Sequence, residues 1–122
     1  MTELLEIEGD EVRLVGGYSP TSGHHHFPLS PVCPYTGADD VERVTLPRTG
    51  TLWAWTAVTT PPPGYEGPIP YGFGVVELDD IGLRVVGRLT ESDPAALRDR
   101  QPMRVVAERI NDDLTVWAFT PT

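Results

Sequence analysis

The chain has 122 residues, enough for one domain with a real core, and sets 9 Lys plus Arg against 18 Asp plus Glu, a formal net charge of −9. That charge repels a phosphate backbone, and the basic residues are scattered rather than grouped, so nucleic-acid binding is disfavoured. A single cysteine makes no intrachain disulfide, the acidic start Met1–Glu8 is no signal peptide, and no apolar run approaches the roughly 18 residues that span a bilayer, so a cytoplasmic protein is expected.

With 12 glycines and 13 prolines, many turns are expected between short strands. A strand over 11–18 ends at Gly16-Gly17, and 24–28 is placed to return antiparallel to it. Ser19-Pro20-Thr21-Ser22-Gly23 and Cys33-Pro34-Tyr35-Thr36-Gly37 each have the outline of a zinc knuckle, C-x-x-C-G, in which two thiolates face one metal and a glycine closes the turn. Three of the four ligand positions hold the hydroxyls of Ser19, Ser22 and Thr36, which stay protonated and ligate zinc poorly; only Cys33 remains. The spacing predicts a ribbon and the residues predict no metal, although ordinary Pro/Gly/Ser/Thr turns account for the same pattern. Alternation of Val41, Val44 and Leu46 with Glu42 and Arg43 makes 41–46 a strand leaving the second knuckle.

Residues 51–59 are rich in aromatic and β-branched side chains. Simple alternation puts Leu52, Ala54, Thr56 and Val58 on one face and Trp53, Trp55 and Ala57 on the other, so a strand covered on both sides is expected. The stretch 61–68 cannot pair in a sheet, because its prolines lack the N–H donor, and reads as a stiff loop. Tyr71–Leu78 is the next strand, Asp79-Asp80 with Gly82 its hairpin, and 83–89 the strand that follows. Ser92 or Asp93 caps a short helix with Pro94 at its first position and 95–98 as its body. Two more strands, 102–110 and 114–119, turn at Asn111-Asp112-Asp113. Five strands with a short helix between the third and fourth is the layout of an OB barrel.

The chemistry-bearing residues are few. Cys33 is the only thiol and His24, His25 and His26 the only imidazoles, yet spacing identifies neither an oxyanion site nor an orienting acid, so no catalytic residue is assigned. His24 and His26 share one side of a strand and with Cys33 offer an alternative metal clasp, but on ligand count a solvated or partner-facing strand is the favoured account. Trp53, Trp55, Tyr71 and Phe73, with Pro62 and Tyr65 of the proline loop, are the candidate binding residues, suited to an adenine, an acyl chain or a partner subunit, and simple core is the competing account of the aromatics. Arg84, Arg88 and Arg104 suit phosphate groups or mere solubility, and the Asp pairs suit turns.

In order and spacing the chain resembles the acyl-CoA-associated OB-fold family over residues 16–119: two knuckles around His26-Phe27-Pro28, then 50–56, the 61–63 prolines, Tyr71–Leu78, Gly87-Arg88-Leu89-Thr90 and 101–105. It departs from the family at the ribbon ligands and at Asp99-Arg100, where Ile-Gly is usual. The resemblance implies an all-β chain, with a degenerate, metal-free rubredoxin-like ribbon lobe in 1–47 and a five-stranded OB fold in 48–122. It also implies a non-catalytic partner of a thiolase-like, lipid-transfer-type enzyme acting as thiolase or aldolase. Such a subunit carries no cofactor of its own, takes acyl-CoA as ligand of the hetero-oligomer by helping to form its channel, and for degenerate ribbons is similar to partners used in steroid side-chain breakdown. The alternatives are a free-standing OB module for oligosaccharide or single-stranded nucleic acid, and a small hydrolase or metalloprotein built on Cys33 and His24 to His26.

Overall fold

The computed structural model describes residues 4–9, 11–60, 62–65, 67 and 69–122, so Pro61, Glu66 and Pro68 of the expected proline loop lie outside the described residues. In chain order the strands are β1 (Leu5–Glu8), β2 (Glu11–Ser19), β3 (His24–His26), β4 (Glu42–Thr45), β5 (Thr49–Val58), β6 (Tyr71–Leu78), β7 (Arg84–Leu89), β8 (Pro102–Asn111) and β9 (Leu114–Pro121). One 3-10 turn, Pro94–Ala96, interrupts them between β7 and β8. Among the described residues no helix is long and apolar enough to cross a membrane.

The chain is all-β, in two parts. A small antiparallel sheet forms on β2, which pairs with β1 (Leu5 opposite Leu14), β3 (Gly17 opposite His26) and β4 (Gly16 opposite Val44). The other five strands close a barrel in the order β5-β6-β7-β9-β8, with β8 returning to β5 through Gly50 opposite Met103. All its pairings are antiparallel except β7 with β9, as the OB layout requires. Alternation explains the packing: Gly72, Gly74, Val76 and Leu78 of β6 point inward, and Tyr71, Phe73, Val75 and Glu77 point out. Leu52, Val76, Leu78, Val85, Leu89, Met103, Val105 and Phe119 fill the barrel, and Val12, Leu14 and Leu46 from the small sheet join the same cluster. Each such side chain contributes about 1.5–3 kcal/mol when fully buried.

Three local expectations change. The 53–55 stretch does not alternate: Leu52 faces Val76 and Ala54 faces Val75, so Trp53 is the extra residue of a β-bulge. The insertion shifts the phase by one. Leu52 and Trp55 therefore point inward and Ala54 and Thr56 outward, and Trp53 and Trp55 do not share a face as expected. The short helix is one 3-10 turn. Asp93 caps it, its Oδ1 accepting the Ala95 N–H at 3.0 Å, but Leu97 leaves in extended conformation and buries against the core rather than prolonging the helix. Finally, β1 forms in a segment with no strand expectation, because β2 offers it an edge.

Candidate functional site

The two knuckles fold as their spacing predicts. Gly23 and Gly37 adopt φ of +70° and +78°, a conformation other residues enter at a cost, and their N–H groups donate to the Ser19 and Cys33 carbonyls at 2.7 and 2.8 Å. Ser19 and Cys33 are buried there, with Ser22 half-buried and Thr36 exposed beside them. The Ser22 hydroxyl donates to Cys33 Sγ at 3.4 Å, and Ser19 Oγ accepts the Ser22 N–H at 3.3 Å. Hydrogen bonds from the Ser22 and Thr36 hydroxyls and the Tyr35 and Thr36 amides favour the thiolate and bring the Cys33 thiol down to about 7. Ser19 Oγ donates to Asp40 at 2.6 Å, and Asp40 also takes the Thr21 hydroxyl and N–H; these bonds bring its carboxyl down to about 2.

Such a donor set does not fit zinc: one thiol and three protonated hydroxyls, already bonded to one another. Nor is the alternative clasp assembled. His26 is buried with Nε2 accepting the Ser30 N–H at 3.1 Å, whereas His24 is exposed against Tyr35. His25 stacks on Tyr18 and is held below its usual value by burial and by the neighbouring His26. Among the described residues no three of His, Cys, Asp and Glu stand together as a metal's ligands.

The second constellation lies on the outside of the barrel. Outward residues of three neighbouring strands form a row, Ala54 opposite Val75 and Val75 opposite Val86, with Phe73 beside it. Trp53 (46% exposed), Phe73 (39%) and Val86 (48%) leave that face open, too apolar and too contiguous to be a routine surface. Arg84 lies over the Trp53 ring at 3.7 Å and pairs with Glu77. Trp55, by contrast, packs on the core and donates its indole N–H to the Pro94 carbonyl at 3.0 Å.

Phe73 and Val86 also border an apolar cavity of about 380 Å³. Its walls come from β6, β7, the proline loop and the β8–β9 hairpin, where OB folds take their ligands. Tyr65 and Tyr71 meet there with ring centroids 5.1 Å apart. The Arg88 guanidinium lies 4.6 Å over the Tyr71 ring, donates to the Tyr65 hydroxyl at 3.0 Å and pairs with Glu108. Burial opposes its charge, yet the Tyr65 and Glu108 hydrogen bonds and the Glu108 carboxylate hold Arg88 above its usual value. The cation is thus already engaged. Pro62 stays exposed and turns the loop, its carbonyl taking the Tyr65 N–H at 3.0 Å. Of the six expected site residues, Tyr65, Tyr71 and Phe73 meet at this cavity, Trp53 stands on the adjoining face, Pro62 shapes the loop and Trp55 packs half-buried against the core. Sequence reasoning missed Val86, Leu114 and Trp117. For Val86 the signal was present: an apolar residue between Arg84 and Arg88 on the outward phase of its strand.

Known proteins share this architecture. The family model described as "ChsH2, C-terminal OB-fold domain" matches residues 43–108. A DUF35 domain-containing scaffold protein of Pyrococcus furiosus is 31% identical over 103 residues, covering 84% of this chain and 74% of that protein. Another, from Methanocaldococcus jannaschii, is 25% identical over 101 residues, covering 82% and 71%. The solved Ltp2-ChsH2(DUF35) aldolase superposes with a TM-score of 0.70 at 28% identity, covering 89% of this chain and 84% of that one.

Proposed function

The chain belongs to the family of the ChsH2 C-terminal OB-fold domain, the DUF35 proteins, and on that premise we propose that it is a non-catalytic accessory subunit of a thiolase-like, lipid-transfer-type aldolase. The observation that carries this reading is the open apolar face of Trp53, Phe73, Val75 and Val86, since exposed aromatic anchors are what stable interfaces use. The partner supplies the catalysis. Cys33, the one thiol, is buried in a network of hydroxyls and serves the ribbon. Acyl-CoA enters as a ligand of the complex, in a channel that the Tyr65, Tyr71 and Phe73 side helps to form, and breakdown of steroid side chains is the pathway class that the degenerate ribbon suggests. An OB module for single-stranded nucleic acid is a poorer fit, because Arg88 is engaged by Glu108 and the chain carries −9.

The test is co-purification and calorimetry with the thiolase-like protein co-expressed from a neighbouring gene. Wild type is expected to form a stable complex, and Trp53→Ala or Phe73→Ala to weaken it by about 2 kcal/mol or more while lowering the melting temperature by only a few degrees. No association at micromolar concentration overturns the reading. So does thiolytic or aldol turnover by the isolated chain that a Cys33→Ala change abolishes.

A further inference from the structure

The polar groups around the apolar cavity of about 380 Å³ are turned on one another. The Trp117 indole N–H donates to the Val86 carbonyl at 3.1 Å, and the Arg88 guanidinium bonds the Tyr65 hydroxyl and pairs with Glu108. What faces the space is hydrocarbon and ring: Phe73, Val86, Ile110, Leu114 and Val116, with the Trp117 indole. The proline loop is drawn down onto the β8–β9 hairpin, where a Cβ at Gly67 would lie 2.6 Å from Ile110 and 2.5 Å from the Tyr65 hydroxyl. Phe73 and Val86 belong to this cavity and also to the open face beside it, so the cavity gives onto that face.

These walls discriminate between the two ends of an acyl-CoA. The nucleotide end carries phosphates and the pantetheine arm carries amides. Buried here, both would meet a cation already held by Glu108 and an indole N–H already held by a carbonyl. A polar group buried without a partner is costly, and a phosphate most of all. An acyl group needs only apolar surface, and each buried methylene adds to its binding. The volume lies at the small end of the roughly 300–1,000 Å³ typical of ligand pockets. A medium-length or branched acyl group fills such a space, whereas acetyl touches little of its wall.

We propose that this cavity holds the acyl group of the acyl-CoA, a neutral apolar chain or ring longer than acetyl, and that Ile110, Leu114 and Val116 of the β8–β9 hairpin set which acyl groups fit. The nucleotide lies outside, and the thioester leaves past Phe73 and Val86 toward the face that the partner covers. This rests on the reading of acyl-CoA as a ligand of the complex; it adds which end this chain receives and what chemistry it selects.

The test uses the full chain, isotopically labelled and without a partner, and three probes: S-octanoyl-N-acetylcysteamine, S-acetyl-N-acetylcysteamine and CoA itself. The octanoyl thioester should give saturable chemical-shift changes centred on residues 86–87 and 114–117, and bind roughly tenfold or more tightly than the acetyl one. CoA should leave those residues unmoved. A Leu114→Lys variant, changed at an exposed position and so expected to melt within a few degrees of the wild type, should bind the octanoyl probe roughly tenfold more weakly. Leu114→Met should bind it as the wild type does. CoA that shifts the same residues overturns the proposal, as does an acetyl probe that binds as tightly as the octanoyl one. No octanoyl binding at millimolar concentration, or unchanged binding by Leu114→Lys, overturns it equally. None of these readouts involves the partner, so a chain that holds the octanoyl group yet forms no complex sinks the accessory-subunit reading alone.

Discussion

Truncating Trp53 and truncating Trp55 are expected to have opposite consequences although the residues are two positions apart. The Trp53 ring gives the fold little beyond its stack with Arg84, and such cation–π contacts at exposed sites contribute about 0.5–1 kcal/mol. Trp55→Ala removes packing against the core and the bond to the Pro94 carbonyl, and should cost about 2 kcal/mol or more. Urea unfolding of the two variants checks this; equal losses would place both indoles in the core. Cys33 gives a second prediction. Its folded value, about 7, lies below the ordinary thiol value of 9.0, so between the two the unfolded chain holds more protons than the folded one. Stability from this group is therefore fully present above about 9 and is lost as pH falls through about 7. The melting temperature of wild type, relative to Cys33→Ser, should rise from pH 7 to 9; parallel curves would mean that the thiol does not ionise in place.

At the scale of elements, β6 was legible to the residue, because Tyr71–Leu78 combines strong β-formers with turn residues at both ends. The phase of β5 was not, since a bulge is set by how the strand bends between two neighbours and leaves no mark in the alternation. β1 was missed for a related reason. Leu-Glu-Ile-Glu does alternate as a strand does, but over only four residues and with Glu, a poor strand former, at every second one, so its pairing with β2 was not read from it. The knuckles were legible as turns, but not the hydroxyl network through Asp40 that accompanies them. From that network follows a third prediction. The purified protein should carry no stoichiometric zinc, and a chelator should leave its melting temperature unchanged; one zinc per chain by elemental analysis would redirect attention to Cys33.

For the molecule as a whole, the shared core decides how it unfolds. Val12, Leu14 and Leu46 belong to the same apolar cluster as Leu52 and Phe119, and Phe27 meets Trp117 edge-on at 5.2 Å. The small sheet and the barrel should therefore melt in one transition, and a fragment of residues 48–122 should be markedly less stable than the full chain. Calorimetry checks this: two resolved transitions, or a fragment as stable as the whole, would separate the lobes. The outward face and cavity were only half readable, because alternation marks which residues point out but not which of them stay uncovered once loops and hairpins fold back.

The bulge at Trp53 also acts as a stop. A regular strand can slide along its neighbours two residues at a time and keep every side chain on its own face. β5 cannot, because its extra residue sits against Val75 and Val76, and any slide would carry the kink into a stretch where β6 has no matching gap. Leu52 would lose its place over Val76 and the indole of Trp55 would leave the Pro94 carbonyl. One unpaired residue thus makes misregistered forms of the barrel's first strand costly, so the native alignment has no near neighbour to compete with it.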